Sequence, residues 1–360
     1  MINFIIEKMY KNIKEIKPFP CRTTNGIYDE REDGFWIGGF YTGLNWLMYK
    51  ETNDEIFKNT ARKAYERLKY RLYNEQDTLD HDIGFLYSLS AVADYKITGN
   101  DEIKADILTA ADELCKRYNE KGKYIRAWNV WDKNDPFISE NDRRIILDCM
   151  YNLPILFFAS EISGDKKYYN AAYNHANTCK KFMIRDDGSS YHTFVFNKDG
   201  TPKYGQTRQG YSDSSCWSRG HAWLIGGFCL AYKYTGNEEF LKASKSAADY
   251  FYENLESDFV PMWDFKLPTK ENEQRDSSAA AIAASGMLEI GGEYEKKAEK
   301  IIKSLYENYS TKNDKSHQGL LLHACGNKPE NIGTDTSLIF GDYYFCEAVF
   351  KLKNKNFSIF

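Results

Sequence analysis

Two kinds of helical stretch alternate along this chain. One kind is apolar nearly all round and falls at about 35–50, 84–98, 150–163, 220–235, 277–290 and 338–353. A helix with no polar face is a buried helix. The other kind carries one apolar stripe and a polar outer face, at 3–17, 54–73, 101–119, 166–183, 238–256 and 293–309. In 101–119 the stripe is Ile103, Ile107, Leu108, Ala111, Leu114, Cys115 and Tyr118, three and four residues apart.

The same punctuation separates the two kinds. Ile97-Thr98-Gly99-Asn100, Ile162-Ser163-Gly164-Asp165 and Tyr234-Thr235-Gly236-Asn237 each close a buried helix and open an amphipathic one. Glycine supplies the left-handed residue that ends a helix, and Asn or Asp then caps the next. Looser versions stand at Glu51-Thr52-Asn53-Asp54 and Ile290-Gly291-Gly292-Glu293. Consecutive marks lie about 50–70 residues apart, the size of a helical hairpin with its loops. Six buried and six amphipathic helices predict an all-α fold, an (α/α)6 barrel or six-hairpin toroid, in one domain spanning 1–360. The pairing of 338–353 with 3–17 favours a closed ring over an open solenoid. Strand pattern is scarce: Ser189 to Phe196, the turn Asn197 to Gly200, and Thr201 to Thr207 predict a small β-hairpin over one rim.

Composition narrows the function. The net charge of -4 comes without a polybasic run, which argues against nucleic acid and anionic membranes as partners. No stretch approaches the ~18 apolar residues of a membrane span, and the first ten residues do not form a signal peptide. Eight cysteines are scattered with no C-x-x-C, mostly inside helical stripes, which fits a reduced, cytoplasmic protein. The six histidines form no H-x-x-x-H pair, so neither a metal site nor a cofactor is expected.

In such a ring all inner helices run the same way, and their N-termini share one rim. The suggestive residues fall there. Trp36 opens the first inner helix, His81-Asp82 the second, Asp148 precedes the third, Trp217-Ser218-Arg219 opens the fourth, Asp276 the fifth, and Thr334-Asp335-Thr336 precedes the sixth. Converging helix N-termini favour an anionic ligand. Asp82, Asp148 and Asp276 taken singly read as N-caps, the commonest role of Asp before a helix; their shared rim, with Trp36, Trp217 and Trp223 beside them, turns the balance toward a site. Trp and Arg together suit a sugar acid, the ring face stacking and the guanidinium gripping a carboxylate. Two carboxylates across a cleft are the equipment of glycoside hydrolysis, and Asp82 and Asp148 are the candidate pair. The segment 206–223, with two Trp, two Arg, an Asp, a His and a run of hydroxyls, reads equally as a binding loop or a capped turn.

Five motifs in order, His81-Asp82-Ile83-Gly84-Phe85, Asp148 through Asn152-Leu153-Pro154, Arg185 through Tyr191-His192, Gln209 through Asp213 with Trp217-Ser218-Arg219, and Asp276 through Ala280, resemble those of the unsaturated glucuronyl hydrolases, glycoside hydrolase family 88. The resemblance runs from about Phe19 to Tyr344. It implies the same (α/α)6 barrel, and release of a 4,5-unsaturated glucuronic acid from the non-reducing end of lyase-generated oligosaccharides, glycosaminoglycan disaccharides above all. It implies hydration of the vinyl ether: Asp148, as general acid and base, protonates C4 and activates a water that adds at C5. It gives Asp82 the ring hydroxyls and the tuning of Asp148, and gives Trp36, His81, His192, Gln209, Trp217, Arg219 and Trp223 to the sugar, with Arg219 or His192 at its carboxylate. The partner implied is a small anionic oligosaccharide.

Two positions depart from the family pattern. His221 stands where the family commonly carries Gln and could tune the pocket, and Lys328 is present without a clear set of sulfate ligands around it. The rivals are an unsaturated rhamnogalacturonyl hydrolase acting on pectin fragments, against which the 81–85 motif argues, an epimerase, which needs a pair of barrel histidines, and a non-catalytic uronate-binding protein, against which the presence of both carboxylates argues.

Overall fold

The alternation becomes two concentric rings in the computed structural model, which describes residues 1–355 and 357–360. The inner helices are Gly38–Thr52, a continuous run from Ile83 to Thr98 with one π turn at Ser88–Val92, Pro154–Ser163, Ser218–Thr235, Ser277–Ile290 and Ile339–Lys353. Each packs on the next, and the sixth packs back on the first, so the ring is closed. The outer helices are Ile2–Glu15, Glu55–Asn74, Lys104–Cys115, Lys166–Phe182, Glu238–Glu253 and Glu293–Ser304. Each presents one stripe inward: Phe57, Ala61, Ala64, Tyr65, Leu68 and Leu72 are buried on the second. Gly99, Gly164 and Gly236 cap inner helices at φ of +72°, +75° and +68°, and Asn100, Asp165 and Asn237 accept the N–H of the second residue of the next helix, as the punctuation requires. Among the described residues no helix is long and apolar enough to cross a membrane.

The far end of the barrel is closed by charge as well as by apolar packing. Lys351 lies buried between Glu289 and Glu347, bonded to the latter at 3.0 Å, and Ser285 and Tyr343 supply the remaining contacts of Glu347. A buried lysine is tolerable only with such paired and bonded carboxylates.

The structure departs from the pattern in three places. The third inner helix starts at Pro154, with Leu147–Asn152 as a 3-10 turn before it; proline has no N–H to give a preceding turn and fits the first helical position. The outer helix at 104 ends at Cys115, and Tyr118–Asn119 pairs instead with Tyr124–Ile125. The hairpin Thr193–Phe196/Pro202–Gln206 gains a third strand, Arg144–Ile146, which ties it to the segment carrying Asp148. Two more hairpins, Pro20–Thr24/Ile27–Glu30 and Ala324–Asn327/Ile332–Thr336, had no alternating pattern to announce them.

Close approach of inner helices fixes the rim. A Cβ on Gly84 would lie 2.3 Å from Asn152 Cα and 2.5 Å from its carbonyl oxygen. Because the neighbour is backbone, Gly84→Ala must push the second and third inner helices apart at the level of Asp82 and Asp148, and should cost about 1–3 kcal/mol as overpacking. We expect a lower denaturant midpoint and lower activity in the same variant; a fully stable, fully active protein would refute this account of the rim.

Candidate active site

The mouth is assembled from the N-terminal ends of the inner helices and the loops above them. Trp36, half-buried, precedes the first inner helix and packs on Phe340 at 5.1 Å and Phe85 at 6.1 Å, so the first, second and sixth inner helices meet around one indole. Phe85 packs in turn on Trp223, with centroids 5.1 Å apart, and Trp223 on Tyr151 and Tyr344. Trp223 is fully buried one turn inside the fourth inner helix and forms the floor beneath the mouth; its Nε1 has no hydrogen-bond partner.

One amide links the Asp82 side chain to the Asp148 backbone. Asn152 Nδ2 donates to Asp82 Oδ1 at 3.3 Å and to the Asp148 carbonyl at 3.1 Å, while its Oδ1 accepts from Phe85 N–H at 2.6 Å. Neither aspartate caps its helix: the Asp82 side chain makes no capping bond, and Asp148 Oδ1 is cut off from water with no hydrogen-bond partner among the described residues. Such an orphan carboxylate oxygen is costly in a fold and is expected where function demands it. Burial pushes the Asp148 carboxyl up to about 7, and the Arg219 cation restrains the rise. Asp82 is raised well above the carboxylate range by burial, then by Asp80 and Asp148. Burial is the largest cause at both carboxyls, and the charge of Asp148 also raises Asp82.

Asp276 is the capping residue of the three. Its Oδ1 accepts from Ser278 and Ala279 N–H at 3.1 and 3.2 Å, and its Oδ2 from Arg219 Nη1 at 2.9 Å. Arg219 also donates to the Cys325 and Gly326 carbonyls and lies between the faces of Trp217 and Phe340, 4.5 and 5.1 Å from the ring centroids. Both terminal nitrogens are thus engaged inside the protein. These bonds use three of its five N–H groups and fix a cation whose field reaches Asp148 and His192.

His192 is the better placed donor. Its Nδ1 accepts from the backbone N–H of Arg208 at 3.1 Å and of Gln209 at 3.2 Å, which fixes the proton on Nε2. Burial, Arg219 and Arg144 hold its pKa well below the usual histidine value, so the ring is a neutral donor. Its Nε2 has no partner among the described residues. The ring packs on Trp217 at 4.4 Å, and the His192 carbonyl accepts from Leu147 N–H, setting it one residue from Asp148. Gln209 reaches Gly326 O at 3.5 Å and links this loop to the hairpin that carries Arg219's acceptors. The loop itself hangs on Asp264, fully buried, which accepts from Tyr211 N–H, the Ser215 hydroxyl, Cys216 N–H and Lys266 N–H.

The two positions that depart from the family pattern lie as follows. His221 does not reach the mouth: its nitrogens meet the Ser190 hydroxyl and the Ala247 carbonyl, and its ring packs on Tyr250, toward the outer helix. Lys328, half-buried, follows the strand Ala324–Asn327 beyond the Arg219 acceptors. One residue was missed. Trp128 lies edge-on to His81 at 6.0 Å and to His192 at 6.1 Å, spanning the two histidines; it sits in a loop without apolar period, where only its residue type could have marked it. Asn152 was quoted for its place in a motif, and nothing local predicted that it would tie the Asp82 carboxyl to the Asp148 backbone.

Comparison with known proteins agrees with this geometry. The model of Glycosyl Hydrolase Family 88 matches residues 5–359. An unsaturated chondroitin disaccharide hydrolase of Streptococcus pneumoniae is 37% identical over 97% of this chain and 90% of its own length. An unsaturated glucuronyl hydrolase of Bacillus sp. GL1 is 37% identical over 88% of this chain and 86% of its own. The crystal structure of the Bacillus sp. GL1 enzyme responsible for glycosaminoglycan degradation superposes with a TM-score of 0.92, covering 98% of this chain and 96% of that one, at 35% identity. The chain belongs to glycosyl hydrolase family 88.

Proposed function

We propose that this protein is an unsaturated glucuronyl hydrolase that releases a 4,5-unsaturated glucuronic acid from the non-reducing end of an oligosaccharide by hydrating its vinyl ether. The observation that carries the mechanism is Asp148, a carboxyl held at about 7 with an unpartnered oxygen inside a mouth of aromatic rings. An acid that must give a proton and take one back works best with a pKa near the working pH. Asp148 delivers its proton to C4 as the double bond's electrons form the new C–H bond. Positive charge then develops at C5 and the ring oxygen, a water adds at C5, and Asp148 recovers a proton from it. The resulting hemiketal opens and the remaining sugar leaves. Because no displacement occurs at the anomeric carbon, the spacing rules of ordinary glycosidases do not decide the outcome.

The other assignments follow from the same reading. The Nε2–H of His192 donates to the substrate carboxylate, Trp36, Trp217 and Trp128 offer ring faces, Asp82 and Gln209 take hydroxyls, and Arg219 supplies a fixed positive field. Trp223 supports them from below. Relatives named for chondroitin disaccharides and glucuronyl groups favour a glycosaminoglycan fragment over the pectin alternative. We also read the chain as one domain. Its cysteines are all free, six of them buried, which supports a reducing, cytoplasmic setting.

The test is an ultraviolet assay with unsaturated chondroitin and hyaluronan disaccharides. We expect the absorbance of the conjugated alkene to disappear with each competent substrate, and its rate to rank linkage and sulfation. Persistence of the band with every unsaturated disaccharide overturns the function.

A further inference from the structure

His81 is 1% exposed, and among the described residues no hydrogen bond satisfies either ring nitrogen. Yet each nitrogen faces a carboxylate: Nε2 is 3.3 Å from Asp82 Oδ1, and Nδ1 is 3.7 Å from Asp80 Oδ1. Asp80 is held in place by its own turn, its Oδ1 accepting from Asp82 N–H at 3.0 Å. The three differ in access to water. The Asp80 side chain is 28% exposed, whereas His81 and Asp82 are at 1% and 10%. We propose that Asp80 acts as a positioning residue that fixes His81 as the Nδ1–H tautomer, so that Nε2 accepts from Asp82 and Asp82 stands in the site as a neutral acid.

The argument is one of lone pairs. A neutral imidazole has one donor and one acceptor nitrogen. With the proton on Nε2, the Nδ1 lone pair would confront the Asp80 oxygen, and a full charge would rest on Asp82, beside Asp148. With the proton on Nδ1, the positive edge of the ring is turned to the Asp80 carboxylate across 3.7 Å, a charge–dipole contact longer than a hydrogen bond, and the charge rests at the end that reaches water, where it is cheapest to hold. Asp82 Oδ1–H then donates to Nε2 while the same oxygen accepts from Asn152 Nδ2, and Oδ2 is left as a carbonyl acceptor for a sugar hydroxyl. A proton on Asp82 also removes one of two adjacent negative charges, the usual solution for close carboxylates. The directions agree: burial lowers His81 to about 4, and burial with Asp80 and Asp148 raises Asp82. The charged and titratable groups around the three are Arg117, Asp148, Cys149, His175 and His192; Arg117 lowers both Asp82 and His81 and is opposed by Asp80.

The inference deepens the glucuronyl hydrolase reading and rests on it for its role, but its test needs no substrate. The intact protein is labelled with nitrogen-15 histidine, and the His81 signals are assigned by their loss in His81→Asn. We expect, across pH 5–7 (a range chosen about the ordinary histidine pKa of ~6.5), a protonated Nδ1 and an unprotonated Nε2. A protonated Nε2, or an imidazolium, overturns the proposal, as does a shift of these signals on adding zinc, which would mark the three residues as metal ligands. In Asp80→Asn, which keeps the oxygen of the turn and loses only the charge, the carbon-13 carboxyl titration of Asp82 should move acidward by about 0.5 unit or more. An unmoved titration overturns the positioning role. Loss of the whole function, by contrast, is read from the disaccharide assay on the unmodified protein.

Discussion

Asp148→Asn lowers kcat by roughly 10²–10⁴-fold, the range over which a positioned acid-base group acts, and leaves KM for the disaccharide within about threefold. The amide keeps the shape of the site and cannot protonate C4. Unmodified protein should show kcat/KM constant at acid pH and falling tenfold per unit once pH exceeds about 7, because the proton to be donated is lost there. The sign for stability runs the same way. Asp148 has a folded pKa above the ordinary Asp value of ~3.9, so the fold binds its proton more tightly than the unfolded chain does. That contribution is complete below the unfolded value and is lost as pH rises to about 7. Asp148→Asn removes a half-buried carboxylate one of whose oxygens is enclosed without a hydrogen bond, and so should melt no lower than the parent at pH 8. An inactive variant that also melts far below the parent would assign Asp148 to structure, and an active one would remove it from the mechanism.

Much of this was legible from period and punctuation. The twelve helices follow from burying one stripe or a whole surface, and Gly99-Asn100, Gly164-Asp165 and Gly236-Asn237 set the joints within a residue or two. Closure of the ring followed from the pairing of 338–353 with the first helix. What escaped were contacts made at a distance in sequence. Asn152 lies four residues from Asp148 but 70 from Asp82, and only the approach of Gly84 to the Asn152 backbone brings them together. The strand Arg144–Ile146 is three residues long and exists because a partner hairpin covers it. His221 misled because its neighbours Trp217, Arg219 and Trp223 face the mouth; on a helix a residue two positions from Arg219 points elsewhere. Arg219 shows the same limit in another way. Its residue type predicts a free fork for a substrate carboxylate, and no local signal says that Asp276 and two carbonyls already hold it.

That engagement makes Asp276 the position where fold and site should fail together. Asp276→Ala leaves the Arg219 cation, 2% exposed, without its anion, and removes the acceptor of Ser278, Ala279 and Cys325 N–H. Breaking one side of a buried pair costs about 3–5 kcal/mol, and loss of the cap adds about 1 kcal/mol. We expect the urea midpoint to fall accordingly. A surviving folded fraction should show a raised KM, because Arg219 no longer holds the Cys325 and Gly326 carbonyls under Gln209. Asp276→Asn separates the two effects: its side-chain oxygen still caps the fifth inner helix, while the charge that balances Arg219 is gone. It should therefore lose less stability than the alanine variant, and the proton on Asp148 should become easier to remove, since the unneutralised Arg219 cation favours the carboxylate. The alkaline limb of kcat/KM then moves to lower pH. If both variants unfold at the parental midpoint, the Arg219–Asp276 pair is not what holds this rim. If the limb stays where it is, Arg219 does not set the acidity of Asp148.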